Sequence, residues 1–136
     1  MRDRLREWLA GIGWAKHDVA DVVLAVDEAL TNVIRHGYQE QPDQDIHLTA
    51  RTLDDATLGS GVEIVIRDFG RQVPLEKICG RDLDDLRPGG LGVHIIRNVM
   101  DYAEYSHAEG GGMRLCMRKF PTQKKGQADN HPVEAP

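Results

Sequence analysis

Three side chains on one segment carry the first chemical suggestion. In VVLAVDEALTNVIRHGY, residues 22–38, Glu28, Asn32 and His36 recur every four positions. On a helix that spacing brings a carboxylate, an amide and an imidazole within roughly 80° of arc. Glu28 and Asn32 offer the oxygen ligands that a hard cation such as magnesium prefers. A neutral Asn ligand would leave the Glu free as a base toward an incoming hydroxyl. A plainer reading stands beside this one: a solvated polar edge, with His36 capping the helix C-terminus. Asp68 and Gly70 form a second candidate, in Asp68-Phe69-Gly70 directly after an alternating run. A carboxylate there can accept from an exocyclic amine, and a glycine lets a ring lie against backbone; the same D-x-G is also an ordinary turn. Third, Gly89-Gly90-Leu91-Gly92 runs into a helical pattern, where unobstructed backbone N–H groups suit a phosphate. That run is neither the GxGxxG dinucleotide fingerprint nor a Walker sequence, and alone it is a weak signal.

The elements that must hold these groups can be read from periodicity. Residues 2–12 place Leu5, Trp8, Leu9 and Ile12 at helical spacing, an amphipathic helix stopped by Gly11 and Gly13, whose apolar face is expected on the core. Asp18 stands as the N-cap of the next helix, with Asp21 at capping-box distance. Its apolar stripe is Val22, Val26, Ala29 and Val33, and Gly37 offers the stop. After the polar loop 39–45, residues 46–53 alternate with Ile46, Leu48 and Ala50 on one face, and 62–67 with Val62, Ile64 and Ile66. The pair reads as an antiparallel hairpin with a rather long loop, 54–61. Residues 71–90 lack a sustained period and are rich in charge, proline and glycine, the pattern of a lid or binding loop. A helix then carries Val93, Ile96, Val99 and Met100 inward. Strands at 102–107 and 113–120 follow, joined by a turn at 109–112.

Composition narrows the class. A chain of 136 residues with 40% apolar and 29% charged content suits one domain with one core. Net charge −5 gives no electrostatic case for direct nucleic-acid binding. No apolar run approaches the ~20 residues of a membrane span, and the charged start has no secretory h-region. Cys79 and Cys116 lie far apart outside any CxxC pattern, so free thiols in a cytoplasmic protein are expected.

Taken as a set, E-x-x-x-N-x-x-x-H on a helix, D-x-G after a strand, an irregular lid and G-x-G opening a helix resemble the GHKL ATPases. That superfamily, with gyrase, histidine kinases and MutL, is built on the Bergerat nucleotide-binding fold. The strings DEALTNVIRHGY and GGLGVHIIRNVMD look most like the anti-sigma-factor serine/threonine kinases of bacterial partner-switching systems. The resemblance implies an α+β fold, a two-layer α/β sandwich whose mostly antiparallel sheet is covered on one face by helices. It covers residues 1–120 as a kinase domain, with 121–136 a disordered tail; the first strand of the family has no counterpart here.

The resemblance also implies ATP and Mg2+ as cofactors. Glu28 matches the catalytic base and Asn32 the magnesium ligand. Asp68 matches the reader of the adenine amino group, with Gly70 under the base. Gly90, Leu91 and Gly92 match the phosphate side of the lid, and His36 a position near the phosphates. Implied partners are a sigma factor and a STAS-domain anti-anti-sigma factor, with a homodimer expected and the Trp8/Leu5 face as its surface. Two other readings remain: a nucleotide-gated binding module with little or no kinase activity, and the ATPase domain of a larger signalling protein. Against the last, His36 stands where histidine kinases usually carry a lysine.

Overall fold

The computed structural model describes residues 2–34, 45–72, 74–75 and 95–122. Two helices, α1 (Arg2–Gly11) and α2 (Lys16–Asn32), precede four strands: β1 (Ile46–Asp55), β2 (Gly59–Asp68), β3 (Tyr102–His107) and β4 (Met113–Lys119). Residues 95–99 are also helical. The strands form one sheet in the order β1-β2-β4-β3, antiparallel at every pairing.

Alternation decides which face is buried. Val62, Ile64 and Ile66 of β2 and Leu115 and Met117 of β4 point to one side, where they meet Leu5 and Leu9 of α1, the Val22–Val26–Ala29 stripe of α2, Ile96 and Met100. Each such side chain, fully buried, stabilises by about 1.5–3 kcal/mol relative to exposure. Lys119 shares that face yet is not stranded: its stem lies in the core while Nζ donates to the Val99 carbonyl at 2.7 Å and sits 3.7 Å from Asp21. The helices therefore form one layer and the sheet the other.

Several local expectations shift. Helix α1 ends in a Schellman motif: Trp14 N–H reaches the Leu9 carbonyl and Gly13 N–H the Ala10 carbonyl, with Gly13 at φ 87°. Gly11 remains inside the helix, and Ile12 is exposed. Leu5 is buried in this chain's own core, so it is not free to form a dimer face. Asp18 does not cap α2. The N-cap is Ala15 without a side-chain bond, and Asp18, a turn further in, is fully buried. Its carboxylate accepts from Thr122 Oγ1 at 2.6 Å and Thr122 N at 3.0 Å. The first residues of the expected tail are thus tied to α2, while 123–136 lie outside the described residues. The β1–β2 loop is shorter than its turn-rich sequence suggests. Only Ala56, Thr57 and Leu58 connect the strands, because Asp55 Oδ1 accepts from the Thr57 and Leu58 N–H groups and Gly59 takes φ 84°.

Candidate functional site

On α2, Glu28 and Asn32 flank the buried stripe and are half-buried. What sets Glu28 apart is that it has no side-chain partner among the described residues. The other acids of the helix are engaged: Asp18 with Thr122, Asp21 with Lys119, and Asp27 with Arg2 at 3.3 Å. Neither Glu28 nor Asn32 has a side-chain hydrogen bond or ion pair among the described residues. Ala29 beside Glu28 and Ile66 near Asp68 belong to one core cluster, so α2 and β2 present their polar positions from elements packed together. His36 lies outside the described residues.

Asp68, the last residue of β2, is only 3% exposed. Its Oδ1 accepts two backbone bonds, from Gly70 N at 2.9 Å and Met113 N at 3.1 Å. The first closes the Asp68-Phe69-Gly70 turn; the second fastens the start of β4 to the end of β2. Oδ2 has no partner among the described residues. A buried carboxylate oxygen without a donor is costly, so Oδ2 is an acceptor open to a further hydrogen bond.

The wall beside Asp68 is built by glycine. Gly112, at φ 80°, lets the β3–β4 turn cross the strand end so closely that a Cβ there would fall 2.1 Å from the Asp68 carbonyl oxygen. Two side chains pin the turn. Gln72 Nε2 donates to the carbonyls of Ala108 (3.1 Å) and Gly112 (3.2 Å), and Arg67 Nη2 to those of Glu109 (2.8 Å) and Gly111 (3.2 Å). Sequence reasoning missed Arg67, Gln72 and the Met113 N–H. The three successive glycines, Gly110 to Gly112, were the available signal, since such a run after a strand marks close backbone approach. Gly70 is half-buried at the turn. Gly90, Leu91 and Gly92 lie outside the described residues.

The arrangement offers one buried acceptor oxygen and, at Gly70, peptide backbone beside it, features that a planar ring bearing an amine could use. Among the described residues no group of three or more His, Cys, Asp or Glu forms a metal cage. Magnesium on phosphates does not need one, because it takes only one or two protein oxygens and keeps water.

Comparison with known proteins places the architecture first and the family second. The blue-light activated histidine kinase of Erythrobacter litoralis EL346 superimposes with a TM-score of 0.58 at 20% identity, over 83% of this chain and 33% of that one. A histidine kinase domain from the same protein gives 0.51 at 22% identity, covering 80% and 47%. These likenesses establish the fold, and the chain spans about a third of the full kinase. Residues 1–119 match the histidine kinase-like ATPase domain, and the chain belongs to that family. Among its curated relatives is the serine-protein kinase RsbW of Bacillus thuringiensis (strain Al Hakam), 27% identical over 136 residues, or 95% of this chain and 83% of the relative. RsbW of Bacillus cereus (strain AH187) is 26% identical over 141 residues with the same coverage. No described helix is long and apolar enough to cross a membrane.

Proposed function

We propose that this chain binds Mg-ATP and transfers phosphate to a serine or threonine of a protein partner. In this reading it is an anti-sigma-factor kinase whose substrate is a STAS-domain antagonist and which also sequesters a sigma factor. The observation that carries the reading is the Asp68 carboxylate, buried with one oxygen saturated by Gly70 and Met113 and the other waiting for a donor. The likeness to serine-protein kinases over most of the chain supports the same conclusion.

Each residue then has a task. Asp68 Oδ2 accepts from the adenine amine, and Gly70 provides backbone beneath the ring. Asn32 gives magnesium a neutral oxygen ligand. Glu28, free of any structural partner among the described residues, takes the proton of the incoming hydroxyl. When bound, Mg-ATP supplies the transferable phosphoryl group with its charge offset by the metal, which is where catalysis of this kind gains most. His36, Gly90, Leu91 and Gly92 are assigned to the phosphate side. The cytoplasm is the compartment for such an exchange, and two copies form the regulator.

The test has two stages. Calorimetric titration of ATP and ADP, with and without magnesium, should show magnesium-dependent binding that Asn32→Ala weakens at least about tenfold, or about 1.4 kcal/mol. Transfer of labelled γ-phosphate to a purified STAS-domain partner should then fall about 100-fold or more in Glu28→Gln while nucleotide affinity stays within a few-fold. Binding without transfer in wild type would leave a nucleotide-gated binding module. No binding would remove the reading altogether.

A further inference from the structure

The face of the sheet opposite the helices carries a second, unassigned pattern. Residues paired directly across strands share a face, so the register sorts this face into rows. One row runs Arg51, Glu63, Arg118, Tyr102. Its two arginines share one acid: Glu63 accepts from Arg51 Nε and Arg118 Nε, each at 2.8 Å, and Arg118 lies over the Tyr102 ring. Further along, beside the Asp68 end, the row reads His47, Arg67, Arg114, Ser106. It contains no acid. Arg67 and Arg114 stand directly opposite on adjacent strands, where like charges destabilise a sheet.

Structural duties account for only part of this row. Arg67 donates to turn carbonyls and lies over Phe69, 4.3 Å from the ring centroid, contacts that hold the guanidinium without cancelling its charge. Arg114 has no hydrogen bond or ion pair among the described residues. The nearest acid along β3, Glu104, is engaged by the Tyr102 hydroxyl. Phe69, 46% exposed and edge-on to His47, closes the row with an apolar surface. On a chain of net charge −5, two facing arginines with no counter-ion among the described residues and an exposed ring beside them are a local reversal of sign.

We propose that this row, His47–Arg67–Arg114–Ser106 with Phe69, docks a carboxylate-rich segment of a protein partner laid across the open sheet face. Charge complementarity selects that occupant over a second copy of this chain, since pairing two such rows would bring arginines against arginines. The guanidinium fork matches carboxylates in bidentate geometry, and the aromatic edge offers contact to an apolar residue among the acids. The row lies on the sheet face away from the helices, while Arg67 and Phe69 also border the Asp68 turn; Arg114, which takes no part in that turn, is therefore the position that tests the docking.

The probe is a fluorescent hexaglutamate peptide titrated into the full chain at low and at physiological salt, with backbone amide shifts mapped by NMR. Saturable, salt-sensitive binding with shifts centred on His47, Arg67, Ser106 and Arg114 is expected. Arg114→Glu should weaken it at least tenfold with a melting temperature no lower than that of wild type, since a Glu opposite Arg67 replaces a like-charge pair. Arg6→Glu, which changes net charge equally on α1, should leave it within twofold. Equal loss in both variants, shifts centred elsewhere, no binding, or preference for a short uridine oligonucleotide over the peptide would each overturn the proposal.

Discussion

A carboxylate as enclosed as Asp68 must be compensated by hydrogen bonds or it destabilises the fold, and two backbone N–H groups satisfy one oxygen only. The two oxygens can be separated by substitution. Asp68→Asn can keep Oδ1 as acceptor for Gly70 and Met113 while placing an NH2 group where Oδ2 stood. It should fold with stability near wild type yet bind ATP at least about tenfold more weakly, because donor then faces donor. Asp68→Ala removes both functions and strands two backbone donors, so it should also cost about 1–3 kcal/mol in urea unfolding. If Asp68→Asn bound ATP as wild type does, the unpaired oxygen would have no part in reading the base.

At the scale of the element, the site depends on how tightly the β3–β4 turn can cross the end of β2. Gly112 permits that crossing, since its φ of 80° and the 2.1 Å approach of an added Cβ to the Asp68 carbonyl oxygen both exclude a side chain. Gly112→Ala should therefore destabilise by about 2 kcal/mol or more and weaken nucleotide binding through Met113. Gly111→Ala is the control. It shares a positive φ, 113°, but has open space around its Cβ position, so its cost should be the backbone strain alone, about 1 kcal/mol. Equal losses in the two would show that the close approach is not limiting. The sequence displayed this turn as three glycines, and period-two alternation displayed the strands and their buried faces. What it could not display were contacts between distant residues. Thr122 on Asp18 spans 104 positions and Gln72 on Gly112 spans 40, and no local pattern encodes either. Asp18 looked like a cap because its type favours caps; the chain instead uses the buried carboxylate to hold its own C-terminal segment.

Across the whole molecule, the sheet is tied not only by its ladder but by one buried acid that reaches three strands. Glu63 of β2 takes Arg51 from β1 and Arg118 from β4, and Cys116 donates its thiol to the same carboxylate at 3.6 Å. The Arg51 hydrogen bond, first, and that from Arg118 hold its carboxyl at about 2, against an ordinary value of 4.5. Because the folded value lies below the unfolded one, the folded state binds this proton less readily. The resulting stabilisation is complete above pH 4.5 and disappears as pH falls from there toward 2. Both arginines are largely exposed, with side-chain accessibilities of 62% and 43%, so solvent screens the pairs. Glu63→Gln should thus lose about 1 kcal/mol at pH 7. Comparing urea midpoints of wild type and variant from pH 7 down to pH 3 isolates this group, since other carboxyls titrate in both proteins. The gap should hold constant to about pH 5 and then narrow. A gap that stayed the same throughout would mean that Glu63 acts by packing, and that the strands are held together without its charge.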